Sequence, residues 1–458
     1  MTRRTVALWL LLFGAYAATL GLDAFAGSDY GGNEPHYLLT AKSVVEDRDL
    51  DVRDDYSARG YSEFYPYQLD RRGRETAGRL HEPHGAGFPL LVAPAFALAG
   101  ARGVELLLAA IAALGVTLVY RLALRVVPDP WALGAALAAG LSPPFLAYAT
   151  AVYPELAAGA VLAGAALLAL RLDEAVSRRA AFACFALLGA LPWLGPKFVP
   201  AGLLVGAYAA HSLFRARRRT LAIGSVEVAL FSVALYVAIN DALYGGATPY
   251  AASASGDTAT GADFPGGYLE RSYRLVALLL DRDHGLLRWA PVFALALAGA
   301  WFLHRSRRDR LTRALPGLRA MERAAMLCTA ALGVQFLVAA LLAPTMSGFW
   351  FPPRHLLAAL PLAVPLAALG LRHLPRVGTA LAIVSVLASA WLYLDVRLGQ
   401  GGLVEPRPQA PLGPLVELFP SFGDSPWPYV LAAAIGCALA LLVVFEARRS
   451  RRTASARA

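Results

Sequence analysis

Long apolar runs separated by short arginine-rich links dominate this chain. Val6–Leu22 is nearly free of polar side chains, and comparable runs recur at Val104–Val126, Leu133–Thr150, Pro154–Leu170, Ala180–Leu194, Phe198–Leu213, Leu221–Ile239, Leu286–Leu303, Ala324–Leu342, Leu356–Leu371, Ala380–Leu394 and Pro428–Phe445. Most approach the ~20 residues that an α-helix needs to cross a bilayer. The pattern predicts an all-α polytopic transmembrane helical protein of about twelve spans. Pro192, Pro196 and Pro200 interrupt the stretch Ala180–Leu213, which permits two spans or a re-entrant segment. Basic clusters flank it on both sides, so an even number of crossings is required, with Lys197 at the outer turn. The N-terminus could be a signal peptide with "AFA" at 24–26 as its cleavage site, but the length of its apolar run and the many spans behind it favour a first span.

Polar positions set the topology. Arg3/Arg4, Arg121/Arg125, Arg178/Arg179, Arg215–Arg219, Arg305–Arg313, Arg372/Arg376 and Arg448–Arg452 fall in alternate links, which places those links and both termini in the cytoplasm by the positive-inside rule. Three long segments are left outside, at 23–102, 240–282 and 397–427, with a cytoplasmic tail at 446–458. Residues 1–458 read as a single transmembrane module. The first outer segment is the most acidic and contains Gly87–Gly100, an apolar piece too short to span and suited to lie in the interface. The second is rich in Gly, Ala and Thr, a composition that predicts mobility.

Composition sharpens this picture. The 458 residues are 57% hydrophobic and only 16% charged, against about 25% charge in ordinary soluble domains. A net charge of +10 would suggest nucleic acid in a soluble protein; here the arginines are topology signals, so membrane lipids and not nucleic acid are the expected surroundings. Lysine occurs only at Lys42 and Lys197, and the Ala, Gly and Arg bias is that of a high-G+C bacterial genome, which implies a bacterial cytoplasmic membrane. Cys184, Cys328 and Cys437 lie within apolar runs and read as buried thiols, not as a disulfide framework or zinc site.

Candidate chemistry gathers on the outer side. In "NEPHYLLTAKS", Pro35 marks a first helical turn, so a helix starts just after Glu34, with Lys42 about two turns along. Glu34 then stands at a cavity entrance above the first span or, more simply, is an N-terminal capping acid. "HEPHGAGFPLL" brings His81, Glu82 and His84 together, but the spacing is not that of a metalloprotease helix and Pro83 prevents one helical face from presenting both imidazoles. No metal site is assigned, although a divalent cation could assist. Glu155, Lys197, Arg288, Arg354 and His355 recur at outer span ends. Singly they would be interfacial anchors; converging beside an acidic loop, they would line a substrate path.

These motifs resemble the GT-C membrane glycosyltransferases, in the branch that contains protein O-mannosyltransferases and lipid A aminoarabinose transferases. The resemblance rests on "NEPHYLLTAKSVVEDRDLDV" after the first span, "HGAGFPLLVAPAF", Pro154/Glu155, "GLLRWAPVFALALAG" and "PPRHLLAALPLAVP". It implies an enzyme that moves a sugar from a polyprenyl-phosphate donor, entering sideways from the bilayer, to a lipid, polysaccharide or protein acceptor outside the membrane. It further implies catalysis by a carboxylate in the first outer loop, Glu34 or in reserve Asp29, and substrate binding by Asn33, His36, Tyr37, Lys42, Glu82, His84, Glu155, Lys197, Arg288, Arg354 and His355. Asn33 stands where the family carries its catalytic Asp. Two other readings stay open: a lipid or glycan transporter, disfavoured because the charges lie at span ends and not at the midplane, and a non-catalytic relative that binds a glycolipid.

Overall fold

The computed structural model describes residues 3–25, 27–252, 271–306, 316–343, 354–422, 426–438 and 441. Residues 253–270 of the second outer segment, the arginine cluster from 307 onward, the tail at 446–458 and the end of the last apolar run lie outside the described residues.

The apolar runs fold as helices. In chain order these are α1 (Arg3–Ala17), α2 (Glu34–Glu46), α3 (Arg53–Ser57), α4 (Gly87–Ala123), α5 (Trp131–Gly140), α6 (Pro143–Tyr148), α7 (Glu155–Glu174), α8 (Arg178–Leu194), α9 (Val199–Arg215), α10 (Arg219–Tyr244), α11 (Arg274–Leu280), α12 (Leu286–Trp289), α13 (Ala294–Ser306), α14 (Pro316–Leu337), α15 (Val364–His373), α16 (Pro375–Arg397) and α17 (Trp427–Ala438). Five of the described helices, α4, α7, α10, α14 and α16, are long and apolar enough to cross a membrane. The proline-rich stretch at 180–213 resolves into α8 and α9, joined by a short 3-10 turn that contains Lys197.

Among the described residues the one sheet is a hairpin in the loop between α3 and α4, β1 (Glu75–Thr76) against β2 (Arg79–Leu80). Ala77 and Gly78 both have positive φ, 51° and 77°, as a two-residue turn of the primed type demands. Helix α4 is two helices in one: Ala99 and Gly100 leave helical geometry, with Gly100 at φ 59°, ψ −151°, a region open essentially to glycine alone. The piece before the break coincides with the short apolar segment picked out in the sequence, and the longer apolar helix follows it. A Cβ on Gly103 would come within 2.2 Å of the Ala95 carbonyl oxygen, so the kink closes only because residue 103 is glycine.

Between helices, small residues bring backbones together as in other membrane bundles. A Cβ on Gly299 of α13 would lie 1.9 Å from the Leu366 carbonyl oxygen of α15, and one on Gly370 of α15 would lie 2.2 Å from the Leu295 carbonyl oxygen. Tyr16 Oη donates to the Gly140 carbonyl at 2.8 Å and ties α1 to α5. Cys184 and Cys328 are buried, but Cys437 in α17 is exposed, contrary to the uniform burial expected for the three thiols.

The two ends of the bundle differ in kind. At one end the long loops meet: the Leu403 and Val404 amides donate to the Asp23 and Ala24 carbonyls at 2.9 and 3.0 Å, and Arg74 donates to the Ala251 carbonyl at 2.8 Å. At the other end arginines pair with acids, Arg4 with Asp129 at 3.2 Å and both Arg215 and Arg323 with Asp173 at 2.6 and 2.8 Å.

Candidate active site

Glu34 opens α2 at the loop end of the bundle and is 1% exposed. One carboxylate oxygen accepts the Gly31 amide at 2.9 Å, closing the turn that enters the helix; the other accepts the Val152 amide at 2.8 Å from the segment between α6 and α7. Tyr153 Oη donates back to the Gly31 carbonyl at 3.1 Å. A single carboxylate thereby staples two segments distant in sequence. Burial pushes its pKa up to about 8 despite the two amide bonds, which favour the ionised form. The near-ordinary pKa that a loop carboxylate suggests is therefore not what the fold produces. Asn33 precedes the helix without making a side-chain cap bond.

Beside Glu34 lies a cluster built from three separate elements. Glu155, first residue of α7, sits between two cations: Lys197 Nζ at 2.7 Å and Arg354 Nε at 3.2 Å. Lys197 also approaches His355 Nδ1 at 3.1 Å, a contact that requires this nitrogen to be an acceptor and the imidazole neutral. Burial, with Lys197 and Arg354 adjacent, holds the His355 pKa well below the ordinary histidine range. The Arg354 guanidinium lies 4.5 Å from the centre of the Tyr153 ring. Among the described residues Arg354 has a cation–π partner in Tyr153 and an ion pair with Glu155, and the nearby Tyr148 hydroxyl is buried without a hydrogen-bond partner. A phosphate would find donors of this kind. Tyr148 and Tyr153 were not singled out by sequence reasoning; their signal is the proline-punctuated break "SPPFLAYATAVYP" between two apolar runs.

A second buried network backs α2. His36 Nδ1 lies 3.0 Å from Glu82 Oε1 and 2.9 Å from Tyr56 Oη, Tyr56 donates to the same carboxylate, and His84 Nδ1 stands 3.5 Å from Glu82 Oε2. Burial alone would raise Glu82, but its histidine partners outweigh it and hold the carboxyl below the usual range. Tyr37 bridges the networks, its ring 5.3 Å from His84 and 6.4 Å from Tyr153. His81 points elsewhere, against Tyr244 at 5.8 Å.

Three expected site residues fall outside this cluster. Asp29 pairs with Arg102, which also holds Glu105 at 2.8 Å, and Tyr30 donates to Glu105. Lys42 bonds Glu63 at 2.6 Å on the far side of α2. Arg288 is buried over the Trp289 ring and donates to the carbonyls of Arg282, Pro408 and Ala410, clamping the segment that follows α16 instead of facing the cluster. Among the described residues no three His, Cys, Asp or Glu side chains converge to hold a metal ion.

No family profile and no curated protein matches the sequence. Among solved structures, ArnT from Cupriavidus metallidurans in the apo state aligns with a TM-score of 0.52 at 17% identity, over 85% of this chain and 64% of that one. ArnT from the same organism bound to undecaprenyl phosphate gives 0.49 at 15%, over 86% and 64%. The Archaeoglobus fulgidus oligosaccharyltransferase in the apo form gives 0.46 at 13%, over 88% and 57%. The chain thus spans less than two thirds of the length of the ArnT structures. At this identity the likeness to apo ArnT shows a shared fold alone.

Proposed function

We propose that the protein is an inverting glycosyltransferase that moves a sugar from a polyprenyl-phosphate carrier to a cell-envelope acceptor, working at the loop end of a bundle of about twelve spans that faces out of the bacterial cytoplasmic membrane. One observation carries this reading: Lys197 and Arg354 converge on Glu155 beside the buried carboxylate Glu34, each delivered by a different element. Glu155 holds the two cations in place, and a phosphate ester supplies the further negative charge they attract. The fold shared with apo ArnT is in keeping with it.

In the reaction the acceptor oxygen bonds to the anomeric carbon as the bond from that carbon to the phosphate oxygen breaks through an oxocarbenium-like state. The electron pair leaves on the phosphate, where Arg354 and Lys197 stabilise it. The acceptor proton goes to Glu34, with Asp29 as the reserve base. His36 and Tyr37 of α2, with Glu82 and His84 packed behind them, form one wall of the site, with Asn33 and Lys42 on its flanks. Arg288 is assigned to loop anchoring.

Undecaprenyl phosphate is the probe for the donor site. Purified protein in nanodiscs should bind it, Arg354→Ala should weaken binding by at least about tenfold, and Arg354→Lys should remain impaired because a point charge lacks the planar fork. Wild-type affinity in Arg354→Ala would reduce Arg354 to an interfacial anchor. Deleting the gene and comparing envelope glycans by mass spectrometry would identify sugar and acceptor together.

A further inference from the structure

A chamber of about 690 Å³ opens where the first outer loop crosses the α4 kink, lined among others by Asp29, Glu46, Glu63, Phe64, Phe96 and Arg102. The kink builds it. Ala99, Gly100 and Ala101 form part of its wall, and a Cβ on Gly100 would meet open space. Non-helical backbone near membrane depth is tolerated where it lines a polar cavity. Leu98, next to this wall, is 88% exposed, and Leu90 and Leu91 on the same short helix are exposed as well. An apolar flank of this kind sets the chamber mouth at the bilayer boundary.

The interior has the opposite character to the Arg354 cluster. Arg102 is engaged by Asp29 and Glu105, and Lys42 by Glu63 and Glu46 at 2.6 and 3.7 Å, so carboxylates outnumber cations around the space. Phe64 and Phe96 meet edge to face at 6.4 Å and supply an apolar floor. Carboxylate acceptors over aromatic carbon suit a polyol and repel an anion. A narrow slot shares Asp29 and Tyr30 with the chamber and reaches Glu34.

We propose that this chamber binds the acceptor, and that the acceptor is an amphipathic glycolipid with an uncharged sugar head. Its apolar tail lies along Leu98 in the bilayer, and its head hydroxyl enters the slot toward Glu34. The role as acceptor site rests on the transferase reading; the occupancy does not.

The probes are a diazirine-tagged monoglucosyl diacylglycerol and an equally tagged phosphatidic acid, photolysed with the full chain in phosphatidylcholine nanodiscs and mapped by mass spectrometry. The glucosyl lipid should label residues 62–66 and 96–102 about tenfold more than phosphatidic acid does. Ala97→Trp should remove that labelling by filling the exposed wall, and Glu63→Lys, which fills nothing, should narrow the preference. Equal labelling by both lipids, or labelling unmoved by Ala97→Trp in protein of wild-type melting temperature, overturns the proposal. Competition by methyl glucoside as effective as by octyl glucoside would reassign the chamber to a soluble glycan and overturn the lipid part. Undecaprenyl phosphate binding is measured on the same samples. Its absence in the wild type would sink the donor reading while the labelling still decides the chamber.

Discussion

At the scale of residues, Glu34 joins two demands that pull against each other. Its oxygens are held by the Gly31 and Val152 amides, which fixes the carboxylate, while burial raises its pKa to about 8. A base must be ionised to act, and a group with a raised pKa is ionised only above it. We therefore expect kcat/KM to fall about tenfold per pH unit below pH 8. Glu34→Gln should lower turnover at least ~10²-fold and flatten that limb. It should also cost about 1–2 kcal/mol of stability, because the amide turns an N–H₂ toward a backbone N–H. Single-turnover transfer across pH separates the effects: a Gln variant that loses stability yet keeps wild-type turnover would leave Glu34 a staple and move the base to Asp29. Asn33→Asp should keep or raise activity, since it adds a second carboxylate at the start of α2. Pro35 and the preceding turn point to Glu34 as the start of α2, where the structure places it. Sequence could not reveal the Val152 partner, 118 positions away, nor the desolvation that follows from it.

At the scale of elements, periodicity and proline placement specified most helices, including the division of 180–213 and the separate short apolar piece that opens α4. The hairpin at 75–80 went unread because two-residue strands carry no alternation to detect. Convergence was legible only in part. Glu155, Lys197, Arg354 and His355 could be named from their positions at outer span ends, yet Arg288 shares that local signature and goes to loop carbonyls. What separates Arg354 from Arg288 is the element facing each, which sequence does not state. The α13–α15 contact offers a direct test of what holds the elements together. A methyl at Gly299 or Gly370 must displace a backbone carbonyl, not a flexible side chain, so Gly299→Ala and Gly370→Ala should each destabilise by about 1–3 kcal/mol. Gly224, where an added Cβ meets nothing within 4 Å, is the control: Gly224→Ala should leave the melting temperature in detergent unchanged or higher, since it relieves only chain entropy. Equal melting temperatures for all three would show that α13 and α15 can separate freely, and that the close approach does not hold the bundle.

At the scale of the whole molecule, the positive-inside pattern assigns segments to sides of a membrane, and the geometry shows which segments meet. Arginine counts assigned 23–102, 240–282 and 397–427 to one side. Backbone hydrogen bonds from Leu403 and Val404 to Asp23 and Ala24, and the Arg74 contact with Ala251, bring parts of all three to one end, while Arg4, Arg125, Arg215 and Arg323 pair with acids at the other. Neither route says which end faces the cytoplasm except through the charge rule, which acts during insertion. Accessibility in intact cells decides it. With Cys184, Cys328 and Cys437 replaced, single cysteines at the exposed loop positions Ala58 and Glu417 should react with an impermeant maleimide, and one at Ala216, exposed beside Arg215–Arg219, should react only after the membrane is opened. Labelling of Ala216→Cys from outside, with Ala58→Cys silent, would invert the molecule. It would put Glu34, Arg354 and the chamber in the cytoplasm, where an envelope acceptor does not reside. A mixed result, with position 58 labelled and 417 not, would contradict the Leu403–Asp23 pairing itself, because two segments bonded through their backbones cannot lie on opposite faces of one bilayer.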